Sequence, residues 1–271
     1  MLCALGAQAE PETGIASSQR PRIAIIIDDM GDQHAAGQRA LQLPGPVTYA
    51  FLPHTPFGAS LADAAHRLNK EVMLHLPMQA VNSNNLLGPG ALTLDMSRDQ
   101  FRTTLLEDLN AIPHVVGINN HMGSLLTRHP GHMQWLMEEL QHRGGLYFVD
   151  SRTTHHTVAR QLAGEHQVPA RQRDIFLDDD PSPAAILGQF QRLVDTARRK
   201  GSAIGIGHPY DSTLTLLETL LPQLASMGIT LAPVSALLDG AAKTRLAAPT
   251  VPPLVFNTPA DDSGAAPRQT H

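Results

Sequence analysis

Short apolar runs alternate with amphipathic stretches through most of this 271-residue chain. The runs are rich in Ile, Val and Leu, which is typical of strands that are buried on both faces. They are Ile23–Ile27, Val47–Phe51, Val72–Leu76, Val115–Ile118, Leu146–Val149, Ile175–Leu177, Ala203–Ile206 and Ile229–Leu231. The stretches between them carry apolar residues at helical spacing. The predicted helices are His34–Leu41, Gly58–Asn69, Ser97–Ala111, His132–Arg143, His155–Ala163, Pro183–Lys200 and Thr213–Met227.

This alternation of strands and helices predicts an α/β fold with a parallel sheet. Seven or eight such units in one domain suit a distorted (β/α)7–8 barrel better than a doubly wound sheet. No G-x-G-x-x-G follows the first strand, which argues against dinucleotide binding. The segment Gln79–Leu94 is predicted to be a long loop after the third strand, and long loops of this kind usually belong to the active face of a barrel.

The pattern divides the chain into three parts. Residues 1–20 are a polar lead in which Ala7-Gln8-Ala9 fits the small-x-small cleavage rule, so we interpret this lead as the remnant of a secretory signal peptide. A disordered cytoplasmic N-terminus is the alternative interpretation. Residues 21–239 form the predicted domain, and residues 240–271 are a Pro/Ala-rich tail predicted to be disordered.

Composition narrows the classes of partner. The net charge is -5, and the longest basic run is Arg198-Arg199-Lys200, so no nucleic-acid partner is expected. No stretch reaches the roughly 18 to 20 apolar residues of a membrane-spanning helix. Cys3 is the single cysteine and leaves the redox compartment open.

Polar residues follow the predicted strands at their C-terminal ends. Asp28 and Asp29 end the first strand, and two ionised carboxylates side by side require a cation, a shared proton or hydrogen bonds. Because the C-terminal ends of barrel strands meet at one rim, we expect the other strand-end residues to lie near this pair. They are His75, Asn120, His121, Ser124, Asp150, Asp178 and His208.

Carboxylate and imidazole groups around one point are the ligands of a borderline divalent metal such as zinc. No histidine pair has the i, i+4 spacing of a helical zinc motif, so the ligands must come from separate strands.

Each of these residues also has a purely structural interpretation. Asp29 suits a helix N-cap, His75 a buried core histidine, and His121 a structural turn. His208 precedes Pro209 and suits the closing of a loop. Asp178–Asp180 suits a loop or capping cluster.

Six ordered segments resemble the divergent polysaccharide deacetylases, the YibQ-like branch of the NodB-homology superfamily. The segments are Ile25–Gly31 (IIIDDMG), Glu71–Met78 (EVMLHLPM), Gly117–Ser124 (GINNHMGS), Tyr147–Ser151 (YFVDS), Phe176–Asp179 (FLDD) and Ile204–Pro209 (IGIGHP). The resemblance implies a NodB-like distorted barrel, export to the bacterial envelope as a periplasmic or secreted protein, and hydrolase activity on N-acetylated sugars.

The resemblance also implies roles for individual residues. Asp28 corresponds to the general base, Asp29 to a metal ligand, and His208 to the general acid. The usual ligand motif of two histidines is absent, and His75 and His121 are the best substitutes because each ends a strand at the same rim.

The remaining strand-end residues are expected to support the site or the substrate. They are Asn120, Ser124, Asp150 and Asp178, of which Asp150 is a candidate for one of the vacated positions. The superfamily's Arg-x-Pro-Tyr and tryptophan-bearing motifs, which position and wall the sugar, are missing here.

The sequence therefore predicts a metal-dependent hydrolase of non-peptide carbon–nitrogen bonds, with a carbohydrate substrate and zinc as its cofactor. One alternative is a metal-dependent phosphoesterase or another amidase on the same barrel. The other is a non-catalytic envelope protein that binds glycan or a cell-wall hydrolase partner.

Overall fold

A computed structural model describes residues 20–82 and 84–238 of the chain. Its strands are β1 (Arg22–Met30), β2 (Thr48–Phe51), β3 (Glu71–Met78), β4 (Val115–Met122), β5 (Tyr147–Asp150), β6 (Ala170–Gln172), β7 (Ile175–Phe176), β8 (Ser202–Gly207) and β9 (Thr230–Leu231). Its helices are α1 (His34–Leu41), α2 (Gly58–Arg67), α3 (Arg98–Ala111), α4 (Pro130–Arg143), α5 (Ala159–Glu165), α6 (Pro183–Lys200) and α7 (Asp211–Leu220). The predicted signal remnant up to residue 19 and the predicted tail from residue 240 lie outside the described residues.

All strand pairs in the sheet are parallel, and the strand order is β6-β5-β4-β3-β2-β1-β8-β7. Strand β9 pairs with the first residues of β1, and β2 pairs with its later residues. Both faces of β1 are buried: Ile25 and Ile27 pack in the outer core, whereas Ala24 and Ile26 belong to a separate inner cluster. The apolar runs are thus fully buried strands, as the sequence predicts.

One extended run joins the two ends of this sheet. Strand β6 pairs with β5, and after only Arg173 and Asp174 the chain continues as β7, which pairs with β8. The backbone N–H of Arg173 donates to the Asp150 carbonyl, and that of Asp174 donates to the Ile204 carbonyl, each at 2.9 Å. The run therefore changes partners midway and curls the sheet into the predicted distorted barrel.

Two strands differ most from the sequence prediction. Strand β6 was not expected, because Ala170–Gln172 is mostly polar. In the structure these residues are only half-buried. Strand β4 was expected to end at Ile118, but it continues to pair with β3 as far as Met122. The residues from Asn119 to His121 therefore lie in a strand and not in the loop after it, because backbone pairing continues beyond the end of the apolar run.

Local sequence signals explain several helix ends. The Ser97 hydroxyl accepts from the Gln100 backbone, and the Gln100 side chain accepts from the Ser97 backbone, so a capping box starts α3 where the sequence predicts a helix to begin. The predicted helix Thr213–Met227 instead spans α7 and stops at Leu220, because Pro222 follows within a 3-10 turn. The predicted helix His155–Ala163 starts later, at Ala159.

Within residues 20–82 and 84–238, no helix combines the length and apolar character needed to cross a bilayer.

Packing inside the barrel can be tested at Gly117 on β4. A Cβ there would lie 2.3 Å from the buried ring of Tyr147, so we expect Gly117→Ala to lower the free energy of unfolding by about 1–3 kcal/mol through overpacking. At Gly188 in α6 an added Cβ would meet open space. Gly188→Ala should therefore raise the free energy of unfolding by up to about 1 kcal/mol through helix propensity. Urea denaturation of both variants measures this difference, and equal effects would contradict the tight packing at Gly117.

Candidate active site

Five predicted site residues meet at the rim formed by the C-terminal ends of the strands. Asp28 and Asp29 lie on β1, His75 on β3, His121 on β4, and His208 directly after β8. Although they are far apart in sequence, they surround one point because their strands are parallel neighbours within the barrel.

Three of these residues form a compact cluster of possible metal ligands. Asp29 Oδ1 lies 3.0 Å from His121 Nδ1 and 3.2 Å from His75 Nε2. The two ring nitrogens are 3.2 Å apart. Asp29 Oδ1 is buried and makes no hydrogen bond of acceptable geometry, so it is a polar atom without a satisfied partner. A cation bound by all three residues would supply that partner.

The backbone at Asp29 is in the left-handed region, with φ at 54°. Such a conformation is unfavourable for a residue with a Cβ and persists where the surrounding structure enforces it. The N-cap of α1 is Gln33, so the interpretation of Asp29 as a helix cap is wrong. The strained backbone instead places its carboxylate between His75 and His121.

Asn119 fixes how His75 presents its ring to the cluster. The Asn119 Nδ2 amide donates to Asp28 Oδ1 at 2.8 Å, because a carboxylate can only accept. Asn119 Oδ1 consequently faces His75 Nδ1 at 2.9 Å and accepts a hydrogen bond from its N–H. Because Nδ1 keeps its proton, Nε2 is the nitrogen of His75 that could bind a cation beside Asp29.

His121 is oriented in the corresponding way. Its Nε2 lies 3.4 Å from the Leu86 carbonyl oxygen, which can accept a hydrogen bond from an Nε2–H. Its Nδ1 lone pair is then left for the cluster. Leu86 belongs to the long loop after β3, so this loop contributes to the site as the sequence predicts.

The donor set fits a divalent cation of the zinc type. Two imidazole nitrogens and one carboxylate oxygen are common zinc ligands, and bonds of about 2.0–2.1 Å place tetrahedral ligands roughly 3.3 Å apart. The separations of 3.0 to 3.2 Å in the cluster are close to that value. Three protein ligands also leave a fourth position open, which is typical of catalytic sites.

The surroundings of Asp28 and Asp29 shift the pKa values of the two carboxyl groups in opposite directions. Burial raises the pKa of Asp28 above its usual range, despite the opposing charges of His75 and His208. Burial acts the same way on Asp29, but its contacts with His121 and His75 outweigh it and hold the pKa of Asp29 well below the usual range. The two adjacent carboxylates therefore suit different roles.

The imidazole of His75 is strongly affected by the same two carboxylates. Burial alone would lower its pKa, but the charge of Asp28 and the contact with Asp29 raise the pKa of His75 to about 9. In the absence of a cation, a protonated His75 therefore compensates the carboxylate charge. Metal binding must release this proton, because a ligating imidazole nitrogen is unprotonated.

His208 is held by a buried carboxylate on its far side. Its Nδ1 lies 2.9 Å from Asp178 Oδ1, and its backbone N–H donates to Asp178 Oδ2 at 2.7 Å. Thr213 Oγ1 donates to the same Oδ2 at 2.7 Å. Burial lowers the pKa of His208, but the bond to Asp178 outweighs it, and the net effect raises that pKa. Asp178 therefore supports His208 and is more than the capping residue that the sequence also suggested.

The other predicted residues organise loops at the rim. Asn120 Oδ1 accepts from the Ser151 backbone at 2.8 Å, and Ser124 Oγ accepts from the Val81 backbone at 3.0 Å. Both carboxylate oxygens of Asp150 accept hydrogen bonds within the loop after β5. These three side chains lie outside the ligand cluster, so Asp150 does not take a vacated ligand position there.

Asn119 and Arg173 are among the polar residues of the site that were not singled out from the sequence. Asn119 shares the strand face of His121, and the period of two in a strand could have indicated it had β4 been predicted to continue. Arg173 donates from Nε to the Ser151 carbonyl at 2.7 Å, and its guanidinium lies over Phe176. Its positive charge also interacts with Asp28, although nothing in its polar sequence context signals this.

A cavity of about 470 Å³ opens beside the ligand cluster. Tyr210 lines it; this residue is 48% exposed, and its ring stacks on His208 with ring centroids 5.2 Å apart. Asp32 and Asp211 contribute further polar groups to the lining. The cavity thus offers an aromatic surface and hydrogen-bonding groups next to Asp29.

A barrel with carboxylates and imidazoles at its strand ends defines a class of hydrolase-like proteins, and sequence comparison specifies the family. The divergent polysaccharide deacetylase family matches residues 25–238. The chain belongs to this family. It is 38% identical over 218 residues to the uncharacterized protein YibQ of Escherichia coli K12. The aligned region covers 80% of this chain and 67% of that protein.

Solved structures share the fold. An uncharacterized protein from Agrobacterium tumefaciens C58 aligns with a TM-score of 0.78 at 23% identity, covering 82% of this chain and 91% of that one. A mutant of a pseudoenzyme of carbohydrate esterase family 4, described as having restored enzymatic activity, aligns with a TM-score of 0.53 at 17% identity, covering 82% and 69%. The NodB-like barrel predicted from the sequence is therefore confirmed.

The role of Asn119 can be tested through metal affinity. We expect Asn119→Ala to weaken zinc binding by about 10- to 100-fold, because His75 loses the partner that fixes its ring. Competition with a chromophoric chelator measures the affinity. Asn110→Ala, at an exposed position of α3, is the matched control and should leave it unchanged. Equal affinity in the two variants would contradict this role.

Proposed function

We propose that this protein is a metal-dependent hydrolase that removes acetyl groups from N-acetylated envelope polysaccharide or its fragments. The observation that carries the proposal is the juxtaposition at one rim of a three-residue ligand cluster, a second carboxylate and a supported histidine. Asp29, His75 and His121 would hold the cation. When bound, the cation polarises an acetamide carbonyl and makes water a stronger acid.

Asp28 is suited to be the general base. Its Oδ1 is held by Asn119, so the carboxylate is oriented, and its Oδ2 lies 3.6 Å from His75 Nε2 at the edge of the cluster. A carboxylate with a raised pKa accepts a proton more readily near neutral pH. It can therefore take the proton of a water that attacks the acetamide.

His208 is suited to be the general acid. Its Nδ1 is engaged with Asp178, and its Nε2 lies 3.7 Å from Asp29 Oδ2, so Nε2 faces the reaction site. The bond to Asp178 favours the protonated ring and fixes its orientation. His208 can thus deliver a proton to the leaving amine nitrogen as the carbon–nitrogen bond breaks.

The cavity beside Tyr210 supports a sugar substrate. A half-exposed ring next to hydrogen-bonding groups matches a pyranose, which has apolar faces and hydroxyl edges. Tyr210 would replace the aromatic wall of the missing superfamily motifs.

We also propose an envelope location, supported by the small-x-small sequence Ala7-Gln8-Ala9, and fractionation of cells that produce the tagged protein tests it.

The proposed division of roles predicts different losses for ligand and base variants. His75→Ala should lose stoichiometric zinc, whereas Asp28→Asn should retain zinc and release acetate about 10²- to 10⁴-fold more slowly. Elemental analysis and acetate release from peptidoglycan fragments or chitooligosaccharides measure the two effects. His66→Ala, on the exposed surface of α2, is the control for histidine loss.

The same experiment separates the competing functions. Turnover of a phosphate ester without acetate release would favour a phosphoesterase. Glycan binding without any turnover would favour a non-catalytic protein, a candidate that the pseudoenzyme among the structural neighbours makes worth testing. Zinc binding that persists in His75→Ala would contradict the proposed ligand set.

The sugar wall predicts an effect on substrate affinity. Tyr210→Ala should raise KM by roughly 2- to 10-fold, because an aromatic contact contributes about 0.5–1.5 kcal/mol beyond its buried area. Tyr210→Phe keeps the ring and should retain the KM. Steady-state acetate release provides both constants. A fall in kcat with an unchanged KM would instead indicate that Tyr210 positions His208, on which it stacks.

A further inference from the structure

Arg173 binds three consecutive backbone carbonyls where the chain leaves β5. Its own backbone N–H donates to the Asp150 carbonyl at 2.9 Å, and its side-chain Nε donates to the Ser151 carbonyl at 2.7 Å. Its Nη2 donates to the Arg152 carbonyl at 3.0 Å. A guanidinium presents its N–H donors in one fixed plane, so a single side chain can hold two successive carbonyls together. Arg173 therefore fixes the path of the backbone after β5.

The segment that Arg173 holds has a backbone that needs support. Arg152 has φ at 51°, in the left-handed region, which is unfavourable for a residue with a Cβ. Its backbone N–H donates to Asp150 Oδ1 at 2.8 Å, while its carbonyl accepts from Arg173 Nη2. Such a conformation persists where the surrounding structure enforces it, and these two contacts supply that enforcement.

Ser151, in the middle of this segment, contacts the two asparagines of β4. Its backbone N–H donates to Asn120 Oδ1 at 2.8 Å, and its Oγ accepts from Asn119 Nδ2 at 3.3 Å. The Asn119 amide nitrogen has two N–H donors, and Asp28 Oδ1 accepts from the same nitrogen at 2.8 Å. Because Asn119 is fully buried, these two acceptors fix which way its amide is turned and leave Oδ1 facing His75.

The guanidinium of Arg173 is bound by carbonyls and an aromatic ring. Within residues 20–82 and 84–238 it forms no ion pair, and its charge acts on Asp28 from beyond ion-pair distance. It lies 4.9 Å from the centroid of the Phe176 ring, which in turn lies 5.4 Å from the His208 ring. The shape and the charge of this group can be separated by experiment, because lysine keeps the charge but lacks the planar donor pair.

We propose that Arg173 is a positioning residue of the candidate active site. It holds the segment after β5 so that Ser151 fixes the Asn119 amide, and Asn119 in turn orients Asp28 and His75. This inference rests on the proposed function where acetate release is the readout. The orientation of Asn119 itself can be measured in the metal-free protein.

Conservative variants of the full chain test this route. Arg173→Lys keeps the positive charge but loses the planar donor pair, and Ser151→Ala removes only the hydroxyl that accepts from Asn119. Arg173→Gln keeps an amide donor and takes the place of Arg173→Lys if that variant does not fold. Arg192→Lys, at an exposed position of α6, is the matched control. Urea denaturation establishes that each variant is folded.

The first readout is hydrogen exchange of the Asn119 side-chain amide, followed by NMR in metal-free protein with isotope-labelled asparagine. The signal is identified by its loss in Asn119→Ala. We expect exchange to be about tenfold faster or more in Arg173→Lys and in Ser151→Ala, because the amide loses a fixed acceptor and opens more often. Arg192→Lys should keep the wild-type rate.

The second readout is zinc affinity, measured by competition with a chelator. Arg173→Lys and Ser151→Ala should each weaken zinc binding by about tenfold, because both disturb the partner of His75. The double variant should bind zinc no more weakly than the weaker single variant, since both changes act through Asn119. In acetate release, kcat should fall by about tenfold with KM unchanged, because the orientation of Asp28 matters in the transition state.

The outcomes either support or overturn the positioning role. Faster amide exchange together with non-additive losses of zinc affinity supports it. Variants that change only the urea midpoint, with exchange and zinc affinity as in the wild type, would show a merely structural role and overturn it. Additive losses in the double variant would also overturn it, because the route would not pass through Ser151. A wild-type chain that releases no acetate would contradict the proposed function alone, since amide exchange still decides the role of Arg173.

Discussion

Two adjacent carboxylates at the end of a fully buried strand impose the constraint around which the candidate site is arranged. Asp28 and Asp29 cannot both remain ionised there without nearby positive charge or hydrogen-bond donors. The barrel supplies these groups from the neighbouring strand ends, with His75 beside both carboxylates and Asn119 bonded to Asp28. The geometry that relieves the repulsion is also the geometry that a divalent cation requires.

The barrel could be predicted because its strands are buried on both faces. Strands of this kind appear in the sequence as apolar runs. The strand-end residues could be predicted for the same reason, since parallel strands of known direction end at one rim. Asp28, Asp29, His75, His121 and His208 therefore came together as expected.

What the sequence did not reveal depends on pairing between distant segments. Strand β6 is stabilised by backbone bonds to β5 and has no apolar pattern of its own. Asn119 acquires its importance from His75 and Asp28, which lie far from it along the chain. Asp178 was expected to support the site, but its particular partner, His208, could not be predicted because only the fold brings the two side chains together. Such contacts come from tertiary structure, which local propensity does not encode.

The run from Ala170 to Phe176 forms the seam where the two ends of the sheet meet, and the number of residues in this run is constrained. Two residues, Arg173 and Asp174, connect pairing with β5 to pairing with β8, so an inserted or deleted residue would shift one register against the other. Because Asp178 follows directly, such a shift would also move the partner of His208. Loops elsewhere at the rim can change length with less effect, and evolutionary variation in this fold is therefore expected to spare the seam.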